Sequence, residues 1–333
     1  MPEPRPWNPC SLPGSKPLPP GGEAIDSLSA SPAAQATPAA DAEFGTIDRD
    51  FGMARGARRR AMTTLPADPT SPAPLEAFQL FSGHYRAPAP LAEARHWALL
   101  LDVDGTLIAH RPRPDQVATT PALVQLLNRL ERHLGGALAL VSGRSVAMLE
   151  QLFPNHARLH LVGLHGAEWR RVGQPLQQLE INPRTLAEVR SAMAELADSS
   201  PGTLLEDKGL SLALHWRQVP GMAEALRRSL DTIAATTGYV LQPGKFVYEL
   251  KPRGADKGRA LQQLMQHPPL AGRRPLYLGD DATDEPALAA ALELGGLAIA
   301  VGEPRGEAPW LLHDVSAVCN WLSQLEQAWI QAT

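Results

Sequence analysis

Cysteine is scarce in this sequence, which has only Cys10 and Cys319 among its 333 residues. Two cysteines cannot build the multi-bridge disulfide framework of a small secreted protein. Neither of them has the neighbouring Cys or His residues that a structural metal cluster requires. The cysteine content therefore favours a reducing, cytoplasmic location.

Long apolar runs and a strong excess of one charge are also missing. No uninterrupted apolar run reaches the roughly 18 residues that a membrane span needs. The first residues lack the basic-then-apolar pattern of a secretory signal. The net charge is only -4 at pH 7, with 20% charged residues. We therefore expect neither a membrane nor a nucleic acid as a partner.

Apolar residues are plentiful, at 44% of a chain long enough for two modest domains. Proline is unevenly spread, since 16 of the 32 prolines fall within the first 90 residues. Apolar periodicity is almost absent from residues 1–75. We expect this segment to be a disordered arm rich in Pro and Ala.

One short stretch organises the rest of the chain, because an apolar run from Trp97 to Leu101 ends in Asp102, Asp104 and Gly105. Such a run predicts a buried strand whose carboxyl end carries polar chemistry. In an extended backbone both carboxylates would point the same way, and they would repel unless a cation lay between them. The stretch predicts a divalent-metal site with one carboxylate free to attack. The simpler alternative is an ordinary Asp-rich turn.

Strands and helices alternate along most of the remaining chain. Apolar segments predict short buried strands, and Leu-rich segments at helical spacing follow them. This order is typical of an α/β fold with a doubly wound, Rossmann-like parallel sheet. The expected strands lie at 137–141, 159–162, 276–278 and 297–301, and the expected helices at 121–134, 146–153, 257–265 and 316–329.

The segment 174–245 interrupts this pattern. Helical spacing at 182–197 and 222–236 is combined with alternating polar and apolar residues at 204–217, which predict one antiparallel strand. Two further strands are expected at 238–241 and 246–250. We therefore expect an inserted α+β cap domain at 174–245. The core would then consist of 76–173 and 246–333.

Polar side chains follow three of the expected strands: Asp102 and Asp104, then Ser142, then Asp280. The carboxyl ends of parallel strands line one crevice, and Lys257 begins a helix near the same rim. Carboxylates with a hydroxyl and an ammonium suit Mg²⁺ together with a phosphoryl group. The simpler alternatives are a helix cap for Ser142, a surface position for Lys257, a cap for Asp281 and a first-turn carboxylate for Asp284.

In this order and spacing, the polar clusters resemble the four motifs of the haloacid-dehalogenase-like superfamily of aspartyl phosphatases. The resemblance covers about residues 95–325. The matching segments are Asp102-x-Asp104-Gly105-Thr106, Ser142-Gly143-Arg144, Lys257 and Gly279-Asp280-Asp281-x-Thr283-Asp284.

This resemblance implies a set of roles. Asp102 would attack phosphorus to form an aspartyl-phosphate, and Asp104 would protonate the leaving alcohol and then activate water. Mg²⁺ would be bound by Asp102, the Asp104 carbonyl and Asp280, while Asp284 would orient Lys257. The phosphoryl oxygens would be held by Ser142, Lys257 and the second-motif residues Gly143 and Arg144. Independently of the resemblance, the backbone N–H groups of Val103 and Gly105 are candidate donors to phosphate oxygens.

Within the superfamily, the chain is similar to the trehalose-6-phosphate phosphatase family. The segments that carry this likeness are Gly163-Leu164-His165-Gly166-Ala167-Glu168, Leu205-Glu206-Asp207-Lys208-Gly209, Glu249-Leu250-Lys251-Pro252 and Asp256-Lys257-Gly258. The likeness implies that Glu206, Lys208 and Glu249 bind glucose hydroxyls. Further candidate substrate ligands are His165, Arg217 and Lys251.

Two other functions remain open at this point. One is a phosphatase of a related sugar phosphate, such as sucrose 6-phosphate. Another is a regulatory subunit that binds a sugar phosphate without turnover, although Asp102, Asp104, Lys257 and Asp280 are all present. A phospho-aspartate receiver domain also has a doubly wound sheet. It needs neither an inserted cap nor a second Asp two residues after the phosphorylated one, so both features argue against it. The favoured expectation is a monomeric, Mg²⁺-dependent enzyme with a small sugar phosphate as substrate.

Overall fold

The computed structural model describes residues 78–81, 85–89, 91, 93–110 and 117–332. The predicted disordered arm at 1–75 lies outside the described residues. Within them, the chain forms two sheets, one of ten strands and one of four.

The larger sheet has the strand order β1-β2-β14-β13-β12-β3-β4-β5-β6-β7. Neighbours from β14 to β5 run parallel, while the strands at both edges pair antiparallel. The strands are β1 Phe78–Phe81, β2 Tyr85–Pro88, β3 Trp97–Asp102, β4 Leu138–Val141, β5 His160–Gly163, β6 Glu168–Arg170, β7 Gln177–Gln178, β12 Arg274–Gly279, β13 Leu297–Val301 and β14 Trp310–Leu312.

The centre of this sheet is buried because helices flank it, and it is apolar up to Asp102 at the end of β3. Every residue of β3 and β4 is buried, as expected for parallel strands covered on both faces. Helix α1 begins at Pro121 after the cap Thr120, whose hydroxyl accepts the Leu123 N–H. The core helices are α1 Pro121–His133, α2 Val146–Leu152, α5 Lys257–Leu264, α6 Glu285–Glu293 and α7 Val315–Gln331.

The strand order brings the chemistry-bearing ends together. β3 lies between β12 and β4, and all three run parallel. Asp102 ends β3, Ser142 follows β4 and Asp280 follows β12. The predicted α/β fold with a mainly parallel sheet is confirmed, and its carboxyl edge holds the three polar clusters.

The smaller sheet has the order β10-β11-β9-β8 and is antiparallel throughout. Its apolar face packs on the two helices of the segment predicted as the cap, in a cluster that includes Leu212, Leu250, Met193 and Leu230. The elements are α3 Pro183–Asp198, β8 Leu204–Asp207, β9 Leu212–His215, α4 Ala223–Thr237, β10 Tyr239–Gly244 and β11 Val247–Pro252.

The single strand predicted at 204–217 is wrong. The chain forms a hairpin there, with Glu206 of β8 opposite Ala213 of β9. The turn depends on Gly209, which adopts a φ of 99° and donates its N–H to the Asp207 carboxylate at 2.8 Å. The apolar alternation continued through this turn and concealed it.

The edge strands β1, β2, β6, β7 and β14 were not predicted. They are short, and the sequence has no strong alternation over two to four residues. None of the described helices has the length and apolarity required to cross a membrane.

Candidate active site

A buried lysine joins two carboxylates at the end of β3. Lys257 Nζ donates to Asp102 Oδ1 and to Asp284 Oδ1, each at 2.7 Å. Lys257 opens α5, whose cap Asp256 accepts the Arg259 N–H at 2.9 Å. All three charged side chains are almost completely buried. The arrangement excludes the surface position considered for Lys257.

Burial and the neighbouring opposite charges shift the pKa values of Asp102 and Lys257 in opposite directions. Burial raises the pKa of Asp102 well above its ordinary value, and the neighbouring Asp284 adds to the rise while Lys257 opposes it. Burial alone would lower the pKa of Lys257. The attraction of Asp102 and Asp284 outweighs that effect and holds the Lys257 pKa above its ordinary value. Lys257 therefore stays cationic and favours the ionised form of Asp102.

Two carboxylate oxygens in the cluster suit a cation. One oxygen each of Asp102, Asp280 and Asp284 lies within 4.8 Å of the others. Among the described residues, Asp102 Oδ2 and Asp280 Oδ1 are buried and accept no hydrogen bond. The Lys257 ammonium contacts Asp102 and Asp284, and the exposed His110 contacts Asp280. Even with His110 protonated, three carboxylates exceed the two positive charges that contact them. Hard oxygen donors with an uncompensated charge fit Mg²⁺.

Asp284 fits that cation less well than Asp102 and Asp280 do. Its Oδ1 accepts from Lys257 and from the Tyr277 hydroxyl, the latter at 2.5 Å, and its Oδ2 accepts the Asp281 N–H at 3.0 Å. Asp284 is therefore placed to hold Lys257, as the resemblance implied. Tyr277 was not predicted as a site residue, although a tyrosine inside an apolar strand needs a partner for its hydroxyl.

Asp104 has a different partner. Arg144 Nε donates to Asp104 Oδ2 and an Arg144 terminal nitrogen donates to Asp104 Oδ1, both at 2.7 Å. This two-pronged pair fixes the carboxylate plane of Asp104. The Asp102 side chain thus contacts the Lys257 ammonium, whereas the Asp104 side chain contacts the Arg144 guanidinium. The two carboxylates do not share one cationic side chain. Metal binding by the Asp104 carbonyl stays a prediction.

Ser142 lies at the end of β4 and is buried. Its hydroxyl accepts the Arg144 N–H at 3.1 Å. Ser145, not Ser142, caps α2, because Ser145 Oγ accepts the Met148 N–H at 3.2 Å. The alternative that Ser142 is a helix cap is therefore wrong. A phosphoryl contact for Ser142 stays a prediction.

Gly105 allows Asp280 to approach the first motif. It adopts a φ of 90°, and a Cβ built there would lie 2.0 Å from Asp280 Oδ2. Its N–H already donates to the Ile108 carbonyl at 2.7 Å. The predicted phosphate contact through that N–H conflicts with this arrangement, and the Val103 N–H remains a predicted donor.

The second sheet presents a polar face opposite its apolar one. Glu206, Ala213 and Glu249 lie in one cross-strand row and share that face. Lys208 Nζ contacts Glu249 Oε2 at 2.6 Å, and His215 Nε2 lies 2.9 Å from Glu206 Oε2. The three predicted sugar ligands are thus close together, each carboxylate beside a nitrogen donor.

His165 connects this polar face to the larger sheet. His165 Nε2 lies 3.9 Å from Glu249 Oε2, and a Cβ on Gly143 would lie 2.6 Å from the same nitrogen. Leu164 and His165 both have positive φ values, 49° and 55°, which is strained for residues with side chains. Strain of this kind concentrates at functional sites.

Burial and charge also act on this second group. Burial would raise the pKa of Glu249, but Lys208 and His165 outweigh it and hold that pKa below its ordinary value. Burial lowers the pKa of His165 and that of Lys251. Arg217 makes no described contact with Glu206, Lys208 or Glu249. Its guanidinium lies instead over the Phe246 ring, 4.9 Å from the ring centroid.

Comparisons with known proteins agree on one family. The trehalose-phosphatase family model matches residues 100–304. The chain is 37% identical over 233 residues to the trehalose-6-phosphate phosphatase of Escherichia coli (strain K12), covering 70% of this chain and 87% of that protein.

Solved structures give the same result. A trehalose-6-phosphate phosphatase related protein is similar with a TM-score of 0.61 and 26% identity, over 71% of this chain and 99% of that chain. A haloacid-dehalogenase-like hydrolase from Bacteroides thetaiotaomicron has a TM-score of 0.53 at 16% identity, over 68% of this chain and 98% of its own, and shows the shared fold.

Proposed function

Since the chain belongs to the trehalose-phosphatase family, we propose that it hydrolyses trehalose 6-phosphate to trehalose and inorganic phosphate. The observation that carries this proposal is the buried Asp102–Lys257–Asp284 cluster beside Asp280, close to a polar sheet face with Glu249 and Lys208. The cluster suits phosphoryl transfer, and the polar face suits sugar hydroxyls.

In the first step, the Asp102 carboxylate attacks phosphorus. A bond forms between an Asp102 oxygen and phosphorus, and the bond from phosphorus to the sugar oxygen breaks. Asp104 donates a proton to the departing oxygen, which would otherwise leave as an unstable alkoxide. Lys257 supports this step because it opposes the effect of burial on Asp102.

In the second step, Asp104 accepts a proton from a water molecule. That water attacks phosphorus, the Asp102–phosphorus bond breaks, and phosphate and free Asp102 result. Arg144 holds the ionised Asp104 carboxylate through two hydrogen bonds, which favours the form that accepts the proton from water. The protonated Asp104 of the first step would have to release one of these two bonds.

Magnesium is the proposed cofactor. Asp102 and Asp280 would hold it through the oxygens that accept no hydrogen bond, together with the Asp104 carbonyl. When bound, Mg²⁺ supplies positive charge that stabilises the phosphoryl oxygens. Ser142 and Lys257 would donate to those same oxygens.

Substrate choice is assigned to the segment 174–245, which we propose as the cap. Glu206 and Lys208 of this segment would bind the sugar hydroxyls together with Glu249, which follows the segment in the chain but lies in the same four-stranded sheet. Cap closure would exclude bulk water from the reaction. A cytoplasmic location belongs to the same proposal and rests on the cysteine content of the sequence. A monomeric state stays an expectation.

Phosphate release from a panel of esters tests this function. The panel contains trehalose 6-phosphate, sucrose 6-phosphate, glucose 6-phosphate and p-nitrophenyl phosphate, each with Mg²⁺ and with EDTA. We expect trehalose 6-phosphate to have the highest kcat/KM and EDTA to abolish release. Preference for sucrose 6-phosphate would favour the related sugar phosphatase, and no release from any ester would contradict the enzymatic function.

A further inference from the structure

Two side chains outside the four motifs hold Asp280. His110 Nε2 lies 3.1 Å from Asp280 Oδ2. Arg305 Nε donates to the Asp280 main-chain carbonyl at 2.9 Å. His110 comes from the loop after the first motif and Arg305 from the segment between β13 and β14. Two distant parts of the chain therefore converge on one carboxylate residue.

The two carboxylate oxygens of Asp280 have different environments. Oδ2 is engaged by His110, whereas Oδ1 is buried and accepts no hydrogen bond among the described residues. Metal-binding carboxylates commonly use one oxygen for the ion and the other for a supporting hydrogen bond. His110 therefore leaves Oδ1 as the oxygen available to a cation.

Arg305 acts on the backbone at the same position. Its side chain is only 25% exposed, and its hydrogen bond fixes the peptide carbonyl of the residue that follows β12. Because the main chain at Asp280 is already fixed, the residue loses little further conformational entropy when its side chain binds an ion.

The neighbouring Asp281 provides an internal comparison. Its Oδ1 accepts the Ala282 N–H at 2.5 Å, and the residue is exposed. Asp281 therefore caps the helical turn that follows, while the residue before it is held toward the carboxylate cluster. Adjacent aspartates thus have separate environments, and among the described residues distant segments contact Asp280 but not the Asp281 side chain.

We propose that His110 and Arg305 are positioning residues that set the Mg²⁺ affinity of this site through Asp280. The proposal rests on the proposed function, from which it takes the metal. It extends the metal site beyond the motif residues to two side chains that the sequence did not indicate.

The test is a calorimetric titration of the full chain with MgCl₂ in the absence of substrate. Loss of an outer partner typically weakens metal binding about 10- to 100-fold. We expect about tenfold for Arg305→Met. For His110→Ala we expect about threefold, because the His110 side chain is 68% exposed. Asp280→Asn should remove the binding isotherm.

His313→Ala is the matched control, since His313 is also an exposed histidine beside an aspartate, at 2.9 Å from Asp314. Its Mg²⁺ affinity should equal that of the wild type. His110→Gln, which keeps a donor, should restore most of the affinity lost in His110→Ala. If one of the two single variants unfolds, the other decides: weaker Mg²⁺ binding than in the His313→Ala control supports positioning, and binding equal to that of the control overturns it.

Unchanged affinity in the double variant His110→Ala/Arg305→Met would overturn the proposal, as would unchanged affinity in Asp280→Asn. These outcomes differ from failure of the proposed function. If the wild type binds Mg²⁺ with the expected variant pattern but releases no phosphate from trehalose 6-phosphate, the positioning role stands and the substrate assignment fails.

Discussion

The pair between Lys208 and Glu249 makes a prediction that combines stability with substrate choice. Their side chains are 14% and 7% exposed, and Nζ lies 2.6 Å from Oε2. Removal of one member of a buried ion pair costs about 3–5 kcal/mol, because the other charge stays buried without compensation. We expect Lys208→Met to lose about 3 kcal/mol of unfolding free energy, since His165 remains 3.9 Å from Glu249.

The same variant should discriminate between substrates. A hydrogen bond from a charged donor contributes about 2 kcal/mol, which corresponds to about 30-fold in kcat/KM. We expect that loss for trehalose 6-phosphate. Hydrolysis of p-nitrophenyl phosphate, which has no sugar, should change less than about threefold, because the Asp102–Lys257 cluster is left intact.

The measurements are urea unfolding and phosphate release with both esters. A second variant, Lys208→Met/Glu249→Leu, replaces the pair with apolar side chains and should recover the lost stability. It should not recover turnover of trehalose 6-phosphate. An equal loss on both esters, or an unfolding free energy equal to that of the wild type, would refute this role for the pair.

Further predictions concern the cluster and a buried histidine. Asp102→Asn should reduce phosphate release by on the order of 10³-fold or more, and near-normal release would exclude it as the nucleophile. Asp104→Asn should slow turnover about 10²- to 10⁴-fold with Mg²⁺ affinity within twofold, whereas an unchanged rate would contradict its proton-transfer role. Burial lowers the pKa of His160 to about 4. As the pH falls below about 6.5, His160 therefore becomes protonated in the unfolded chain while it stays neutral in the folded one. The free energy of unfolding should fall by about 3 kcal/mol between pH 6.5 and 4. Urea unfolding of His160→Gln should lack that part of the fall; an identical pH dependence in both proteins would contradict it.

Much of the site could be predicted because the sequence marks where the buried strands end, and the ends of parallel strands lie along one edge of the sheet. Lys257 and Asp102 are 155 positions apart in the chain, yet they meet at 2.7 Å. An apolar run that ends in carboxylates predicts a strand and its reactive end, and the parallel topology then brings such ends together. The predicted ligand set and its roles still await experiment.

The contacts made by loops could not be predicted in the same way. The pairing of Arg144 with Asp104 and of His110 with Asp280 depends on the path of irregular backbone. No periodicity specifies such paths. The turn at Gly209 was missed for a related reason, since the apolar alternation on either side of it suggested an unbroken strand.

The central claim is that Asp102 carries the phosphoryl group during turnover. An aspartyl-phosphate can be trapped by reduction with borohydride, which converts the aspartate to homoserine. The enzyme is quenched during turnover of trehalose 6-phosphate, reduced, and analysed by peptide mass spectrometry. We expect homoserine at position 102 and nowhere else. Homoserine at 104, or an unmodified Asp102 in an enzyme that is turning over, would contradict it.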